Sequence, residues 1–380
     1  MRVLFLSISM GAGHVKAAEA LKEYIDLRYP DSENLIVDTL KYVNPVVHKI
    51  IVDGYLNVVK KKPKIYGNLY RMSEYRKSII KLSRRFSNLL ASKIYKLVLD
   101  FKPSIIVCTH PFPLQMVAHL KNHKNMKIPA VAILTDFVNH PLWFHDNIEA
   151  YIVGHDYIKH DMEECGIDKN CIFPYGIPVS RKFLEPSSKT IARSRLSLQN
   201  KLTVLLMGGS LGIGDMENSF RIFAESKRDL QIITVAGKNS ALEERIKELS
   251  KSYNGSFKIF GYTQNIAELM DCSDFIATKA GGMTLSEALI KKLPILIVSP
   301  IPGQEERNAR FLINSGAAIS ISKKDNIDSI LCQIYDNPLR YRHMKQMAEN
   351  LSKPEAGHNI VNLMEKLIHD NLFKYSSNTL

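Results

Sequence analysis

The sequence predicts an α/β protein built from two doubly wound domains in tandem, and three observations support this fold class. Short apolar runs alternate with segments of helical periodicity along the chain. The alternation restarts at 203–214, where TVLLMGGSLGIG repeats the pattern of VLFLSISMGAG at 3–13: an apolar strand that delivers glycines to a helix start. The 380 residues are enough for two cores, since a domain usually has about 100–200 residues.

Each element of the first half is predicted from its own pattern. Short apolar strands are predicted at 2–7, 35–37, 105–108, 131–134 and 151–153. The stretch GIPVSRKFLEPSSKTIARSRLSLQNK at 176–201 is rich in Pro, Ser and charge, which is typical of a linker. We therefore expect a first domain at 1–180, a linker at 181–201 and a second domain at 202–380, whose last helix returns to the first.

The second half follows the same logic. Further strands are predicted at 231–235, 258–260, 275–277 and 295–298, and helices at 241–250, 266–270 and 284–291. Parallel sheets of this kind bind ligands beyond the carboxyl ends of their strands. The expected site is therefore a cleft faced by the two domains.

Cysteines and hydropathy indicate the compartment. The five cysteines form an odd number without a C-x-x-C pair, and no His/Cys cluster has the spacing of a zinc site. The apolar run VLFLSISM ends in glycines and a basic helix, without the cleavage site of a signal peptide. No apolar run approaches the ~20 residues of a membrane-spanning helix. These features predict a cytoplasmic protein without structural metal that does not cross a membrane but can sit on one.

The net charge of +13 is concentrated in one segment. Residues 41–102 contain 15 Lys and Arg and three acidic residues, whereas the rest of the chain contains 36 basic and 35 acidic residues. Apolar residues are interleaved with these charges at helical spacing: Val46, Val47, Ile50, Ile51, Tyr55, Val58 and Val59. Such a stretch suits an anionic lipid surface, but composition alone favours a core-facing helix with a solvated basic back. RNA binding lacks an accompanying aromatic signature.

The glycines after the first strand also match part of a dinucleotide-binding fingerprint. Gly11 and Gly13 occupy its first two positions, and Asp38 ends the second strand as a ribose-binding acid would. The third position is Lys16, whose bulk prevents the close helix–strand packing that glycine or alanine allows. We therefore disfavour NAD binding.

A stronger constellation lies at 279–308, KAGGMTLSEALIKKLPILIVSPIPGQEERN. Gly281 and Gly282 precede a helix whose first turn holds Thr284, so that backbone N–H groups and a hydroxyl converge where a phosphate binds. Glu287 lies about one turn further on, where a carboxylate can accept both hydroxyls of a ribose. Each piece alone is ordinary, since Gly-Gly often makes a tight turn and an isolated helical Glu is usually solvated. Together they favour a nucleotide-sugar site.

Five segments carry a family resemblance: GAGH at 11–14, TDFVNHPLWFH at 135–145, FGYTQNIAELM at 260–270, AGGMTLSEAL at 280–289 and PGQEERN at 302–308. They resemble the monogalactosyldiacylglycerol synthase and processive diacylglycerol glucosyltransferase family over nearly the whole chain. The resemblance implies a GT-B fold, inversion at the transferred sugar and no bound metal, and a relation to the lipid II glycosyltransferase of peptidoglycan synthesis. No D-x-D triplet occurs, in agreement with metal-independent binding of a diphosphate.

The resemblance also implies residue roles. It implies transfer of a hexose from UDP-glucose or UDP-galactose to diacylglycerol, which would make a glycolipid. The reaction is expected at the anionic inner face of the cell membrane. No cofactor is expected, and no nucleic acid is an expected partner. Donor binding is expected at Gly209, Ser210, Gly261, Tyr262, Gly281, Gly282, Thr284, Glu287, Gln304, Glu305 and Asn308, with uracil near Gly261 and Tyr262 and the hexose on the last three. Acceptor or membrane contacts are expected at Gly13, His140, Trp143, Phe144, Lys60, Lys61, Lys62 and Lys64.

His14 is the expected general base. Inverting transfer needs a group that takes the acceptor hydroxyl's proton, and a histidine at a helix N-terminus is kept neutral and basic by the helix dipole. Histidine is also not among the favoured N-cap residues, which argues against a purely capping role. Asp136 is the expected orienting partner, although a lone TDF acid can equally be an N-cap.

Two other function classes stay open from the sequence. A transferase for another lipid-linked acceptor would keep all of these motifs. A UDP-sugar 2-epimerase or sensor would share the donor site and the two-domain plan, but neither would need the basic, apolar segment at 41–102.

Overall fold

The computed structural model describes residues 1–75, 77–185 and 187–376. The chain divides into two compact units, of which unit 1 comprises Met1–Arg181 together with the chain from Lys353 on, and unit 2 comprises Lys182–Ser352. Each unit is built on one six-stranded parallel sheet. The predicted pair of doubly wound domains with a GT-B fold is confirmed.

Unit 1 alternates strands and helices around a sheet of order β2-β1-β3-β4-β5-β6. Its elements are β1 (Arg2–Ser7), α1 (Gly13–Arg28), β2 (Glu33–Asp38), α2 (Thr39–Val43), α3 (Pro45–Lys61), α4 (Pro63–Tyr75), α5 (Lys77–Phe101), β3 (Ile105–Cys108), α6 (Pro111–His123), β4 (Ala130–Ile133), β5 (Ala150–Ile152), α7 (Asp156–Glu164) and β6 (Ile172–Phe173).

The central strands of unit 1 form where the sequence predicts them because their side chains are apolar on both faces. Residues 3–6 of β1 are fully buried, as are all four residues of β3, and parallel strands covered on both faces read as continuous hydrophobic runs. The edge strand β6 was not predicted, because its two residues are too short a run to recognise.

Unit 2 has the sheet order β12-β11-β10-β7-β8-β9. Its elements are α8 (Lys189–Arg195), β7 (Leu202–Met207), α9 (Met216–Ala224), β8 (Leu230–Val235), α10 (Ser240–Ser250), β9 (Ser256–Phe260), α11 (Ile266–Asp271), β10 (Phe275–Thr278), α12 (Gly282–Ile290), β11 (Ile295–Val298), α13 (Gln304–Asn314), β12 (Ala318–Ile321), α14 (Ile327–Ile334) and α15 (Pro338–Leu351). The edge strand β12 was not predicted, since the exposed Ser320 interrupts its short apolar run.

The sheet order of unit 2 creates a switch point beside β7. The chain runs from β7 outward through β8 to β9, and later strands are added on the other side, beginning with β10. Loops that leave neighbouring strands at such a point turn in opposite directions and open a crevice at the carboxyl edge. The residues that follow β7 and β10 are therefore the expected lining of a ligand site in this unit.

Most of the predicted linker is folded onto unit 2. Its helix α8 carries Arg193, which is buried and forms an ion pair with Asp274 (Nη2–Oδ2 2.8 Å) while its Nε donates to the Cys272 carbonyl. A buried guanidinium needs such partners, and these come from 79 and 81 residues away along the chain. Composition alone does not reveal this anchoring.

The last helix, α16 (Ala356–Ser376), belongs to unit 1 and packs on α1. A Cβ on Gly357 would overlap the ring of Tyr24, so glycine allows the two helices to approach closely. The Tyr24 hydroxyl donates to the carbonyl of Val179 (3.1 Å), and Arg28 pairs with Glu365 at 2.7 Å. These contacts connect the end of the chain to the first helix.

Candidate active site

His14 lies beyond the carboxyl end of β1, in the first turn of α1. The chain turns at Gly11, whose φ of +101° is accessible to glycine and strained for other residues. Gly13 is the first residue of α1, and the helix has no side-chain N-cap hydrogen bond and no acidic residue in its first turn. His14 therefore lies at the positive end of the helix.

Two residues from other strand ends hold the ring of His14. Its Nδ1 lies 2.7 Å from the carbonyl oxygen of Thr109, which follows β3, and 2.9 Å from the hydroxyl of Thr135, which follows β4. A carbonyl can only accept, so Nδ1 carries the proton of the neutral ring and Nε2 keeps its lone pair. The ring is therefore oriented with Nε2 as the proton acceptor.

The surroundings of His14 favour its neutral form. Burial lowers its pKa below the ordinary value of 6.5, while the charge of Asp136 and the hydrogen bond to Thr109 act in the opposite direction. Asp136 is close enough to act on His14 electrostatically, and its role as orienting partner stays a prediction. Thr109 and Thr135 were not predicted as site residues. The signal that could have found them is their position, since Thr109 directly follows the buried strand β3 and Thr135 lies two residues beyond the buried strand β4.

Three of the predicted acceptor residues, His140, Trp143 and Phe144, lie in a turn that packs against α4. His140 is buried, its Nδ1 accepts the N–H of Leu142 (3.1 Å), and its ring lies 5.0 Å from that of Tyr70. Trp143 is only 6% exposed. The indole therefore lies in the interior of unit 1, and the expected acceptor or membrane contact of Trp143 stays a prediction. Phe144 is half-buried beside it.

A row of aromatic rings continues from this turn into the basic segment. The Tyr70 ring lies 6.3 Å from that of Tyr66, which in turn lies 5.5 Å from Tyr55 on α3. All three tyrosines are half-buried. The row therefore links the helices of the basic segment to the predicted acceptor turn by direct packing.

Asp38, which could have served as a ribose acid in a dinucleotide site, has local partners instead. Its Oδ1 accepts the N–H of Lys41 and caps α2, and its Oδ2 accepts both the N–H and the hydroxyl of Ser9. His48 on α3 lies 3.2 Å from the Ser9 hydroxyl and 3.4 Å from Asp38 Oδ2. These contacts connect the loop before His14 to α3.

The basic segment folds as α2 to α5 and leaves apolar side chains at the surface. Val46 and Ile50 on α3 are 68% and 67% exposed, and Ile65 and Leu69 on α4 are also exposed. Lys62 and Lys64 are exposed between these pairs, whereas the side chains of Lys60 and Lys61 lie outside the described residues. In the part of the chain that the structure describes, no helix is both long and apolar enough to span a membrane.

In unit 2, the N-terminus of α12 follows β10 at the switch point. Gly281 is its N-cap, and Gly282 and Thr284 lie in its first turn, which contains no acidic residue and no side-chain capping bond. The first N–H groups of a helix have no intrahelical acceptor, so this end can bind an anion. The predicted diphosphate residues Gly281, Gly282 and Thr284 are therefore brought together by one helix start.

Lys279, which the sequence analysis did not single out, stands at the same edge. It is the first residue after β10, and its ammonium forms an ion pair with the carboxylate of Glu305. A Cβ on Gly209 would lie only 3.0 Å from Cε of Lys279, and Gly209 also has a φ of +70°. Glycine is favoured at position 209 for both reasons. Ser210 follows, half-buried. A cation paired with Glu305 thus lies beside the predicted phosphate cradle.

The predicted hexose residues are engaged within unit 2. Glu305 is only 5% exposed, with Oε1 on Lys279 and Oε2 accepting the N–H of Ile301 at 2.9 Å. Asn308 is fully buried and its Nδ2 donates to the carbonyl of Ala280. Both side chains therefore fix the loops around the helix start in this structure, and their contacts with the hexose stay predictions. Gln304 is half-buried at the first position of α13.

The remaining donor residues are placed along the same carboxyl edge. Glu287 is buried within α12. Gly261 and Tyr262 follow β9, with Tyr262 exposed and the Lys238 ammonium 5.3 Å from its ring centroid. Their contacts with ribose and uracil stay predictions.

Two family models and a whole-chain relative decide the family. The model described as monogalactosyldiacylglycerol (MGDG) synthase matches residues 14–179, and the glycosyltransferase family 28 C-terminal domain matches residues 203–362. The processive diacylglycerol beta-glucosyltransferase of Bacillus cereus (strain AH187) is 31% identical over 366 residues, covering 95% of this chain and 92% of the relative. The chain belongs to the family of MGDG synthases and processive diacylglycerol glucosyltransferases. The protein is accordingly a glycosyltransferase that makes glycolipid.

Solved structures agree with the fold. MurG of Acinetobacter baumannii aligns with a TM-score of 0.57 at 16% identity, over 96% of this chain and 99% of that chain. The UDP-GlcNAc 2-epimerase of Neisseria meningitidis, bound to UDP-GlcNAc, aligns with a TM-score of 0.59 at 15% identity, over 96% and 100%. At these identities the likeness concerns the fold alone, which glycosyltransferases and epimerases share.

Proposed function

We propose that this family member transfers glucose or galactose from a UDP-sugar to the free hydroxyl of diacylglycerol, with inversion and without a metal ion, at an anionic membrane surface. The observation that carries the proposal is the state of His14. Its Nδ1 proton is committed to the Thr109 carbonyl, so that a neutral imidazole keeps a lone pair on Nε2.

The base step follows from this arrangement. Nε2 of His14 takes the proton of the acceptor hydroxyl while the hydroxyl oxygen attacks the anomeric carbon of the donor from the face opposite UDP. The C–O bond to UDP breaks as the new glycosidic bond forms, and the imidazolium is stabilised by the Thr109 carbonyl and by the charge of Asp136. General-base catalysis of this kind contributes about 10²- to 10⁴-fold.

The leaving group is a nucleoside diphosphate, and unit 2 offers positive groups for it. The free N–H groups at the start of α12 can donate hydrogen bonds to phosphate oxygens, and Lys279 adds a cation close by. Preorganised dipoles of this kind act where charge develops as the bond breaks. The epimerase with the same fold that is bound to UDP-GlcNAc supports a UDP-sugar as the donor class.

The relatives support diacylglycerol as the acceptor, and the basic segment supports action at a membrane. The relative of 31% identity is named for diacylglycerol, a substrate that stays in the bilayer. Exposed apolar pairs on α3 and α4, with Lys62 and Lys64 between them, are suited to an interface in which acyl chains meet anionic headgroups. We propose peripheral binding at the cytoplasmic face on this basis.

The test is incubation with vesicles that contain diacylglycerol and an anionic lipid, with UDP-glucose or UDP-galactose, followed by mass spectrometry of the lipids. We expect hexosyl-diacylglycerol from one of the two donors in wild type and almost none in the His14→Ala variant. Transfer only to a polyprenyl-linked acceptor, or epimerisation of UDP-GlcNAc without lipid product, would replace the proposal with one of its alternatives. The product's anomeric configuration, read by NMR, tests inversion, and unchanged turnover in EDTA tests metal independence.

A further inference from the structure

The ring of His110 lies directly against the ring of His14. The two centroids are 4.7 Å apart and the planes meet at 77°, an edge-to-face contact. His110 immediately follows Thr109, the residue whose carbonyl orients His14. Two consecutive residues beyond β3 therefore contact the proposed base, one through a hydrogen bond and the other through its ring.

The orientation of His110 is itself fixed by a helix cap. His110 is the N-cap of α6, and its Nδ1 accepts the N–H of Phe112 at 3.1 Å. Accepting this bond requires a lone pair on Nδ1, so the neutral ring carries its proton on Nε2. The cap holds the ring at the start of a 13-residue helix, which gives the contact with His14 a rigid support.

The electrostatics distinguish the two histidines. Burial and the neighbouring His14 hold the pKa of His110 well below its ordinary value, so that His110 stays neutral when His14 takes a proton. The other titratable group acting on His14 is Asp136, whose charge raises the pKa of His14 and thus favours its imidazolium. His110 is therefore unsuited to accept the proton and suited to pack against the residue that does.

We propose that His110 is a positioning residue for the transfer: its capped ring holds the His14 ring against the Thr109 carbonyl and shields that side from water, which leaves Nε2 as the only open nitrogen. The inference rests on the proposed function, because it requires His14 to be the base. Without the His110 ring, the His14 ring would gain rotational freedom and water would reach it, and both changes reduce the fraction of molecules in which Nε2 faces the acceptor hydroxyl in the reactive geometry.

The chain offers a matched control in His155. This residue caps α7 in the same way, with its Nδ1 accepting the N–H of Tyr157 at 3.2 Å. Asparagine is a good N-cap, so His110→Asn and His155→Asn should each retain the cap and lose only the ring. A third variant, His110→Phe, retains a ring beside His14 and loses the capping bond.

The experiment measures turnover against pH from about 5 to 8 across the titration range of histidine, together with UDP affinity, thermal unfolding and the imidazole ¹⁵N shifts of His14. For His110→Asn we expect turnover to fall about tenfold or more, while UDP affinity stays the same. The acid limb of the pH profile of turnover should move to higher pH, toward that of a hydrated histidine. The Nδ1–H tautomer of His14 should no longer be the dominant one. His155→Asn should change none of these quantities, and His110→Phe should keep the acid limb of wild type even if it unfolds at a lower temperature.

Distinct results overturn the inference and the proposed function. If His14→Ala is inactive but His110→Asn keeps the acid limb, the tautomer and the turnover of wild type, His110 is only a helix cap. The same conclusion follows if His155→Asn reproduces the losses of His110→Asn. If His14→Ala itself remains active, the proposed base is wrong. Should His110→Asn fail to fold, a displaced acid limb in His110→Phe would equally reject the packing role.

Discussion

The two units use the same sheet plan to support different chemistry at their carboxyl edges. In unit 1 the edge presents a neutral imidazole, held by a backbone carbonyl and a hydroxyl from neighbouring strands. In unit 2 the edge presents free N–H groups of a helix start and a lysine paired with a buried carboxylate. The first arrangement suits removal of a proton from a neutral hydroxyl, and the second suits an anion. The residues at the strand ends, more than the fold, therefore determine what each edge can do.

The largest expected effect separates the two edges directly. His14→Ala should lower turnover at least about a hundredfold, because the acceptor proton loses its base. UDP affinity should change little, since the variant leaves the edge of unit 2 untouched. Steady-state kinetics and calorimetry with UDP measure the two quantities on the same preparation. Turnover within a few fold of wild type would show that His14 is only structural.

The converse variant lies in unit 2. Glu287→Ala should weaken UDP binding by about 10- to 150-fold, because hydrogen bonds to a charged group contribute about 1.5–3 kcal/mol. Glu287 is buried, so thermal unfolding of this variant and of Glu287→Gln must accompany the calorimetry. Unchanged UDP affinity in a folded variant would place the ribose elsewhere.

The basic segment supplies a smaller and salt-dependent effect. Lys62→Gln with Lys64→Gln should remove up to about 2 kcal/mol of attraction to an anionic surface, or about 30-fold in binding, at ~1 kcal/mol per basic group. Lys124→Gln with Lys169→Gln removes the same charge from exposed positions outside α2 to α5 and is the matched control. Vesicle sedimentation at low and high salt compares the pairs, because the Debye length falls from about 10 Å at 0.1 M to 3 Å at 1 M.

Equal losses in both pairs would indicate a general charge effect without a docking surface. A short-chain, water-soluble diacylglycerol provides a second control, since it needs no docking. Its turnover should be nearly the same in wild type and in the Lys62/Lys64 variant. A parallel loss on this substrate would assign the two lysines to the acceptor site or to folding.

The smallest expected effect is in the pH profile. Burial lowers the pKa of His14, so the base stays neutral below the ordinary value of 6.5, and the acid limb should lie below that pH. A base of unshifted pKa would keep only about a quarter of its activity at pH 6, whereas this base should keep a larger fraction. An acid limb centred at or above 6.5 would show that His14 is hydrated during turnover.

Local patterns in the sequence determined most of the fold. The predicted strand 105–108 matches β3 and 295–298 matches β11 residue for residue, because four-residue apolar runs bounded by Ser, Thr or Pro form buried parallel strands. The glycines at 281 and 282 likewise predicted a helix start. These features depend on neighbours within a few residues, which the sequence displays directly.

Only the tertiary structure decided the state of the candidate base and the partners of the predicted sugar-binding residues. The groups that fix the His14 tautomer lie 95 and 121 residues away in the chain, and Glu305 pairs with a lysine 26 residues earlier. Sequence alone could name His14 and Glu305 by type and motif, but hydrogen bonds and burial depend on which strand ends become neighbours. Folding sets that adjacency through the sheet order, and so it decides which imidazole nitrogen is open and which carboxylate is already paired.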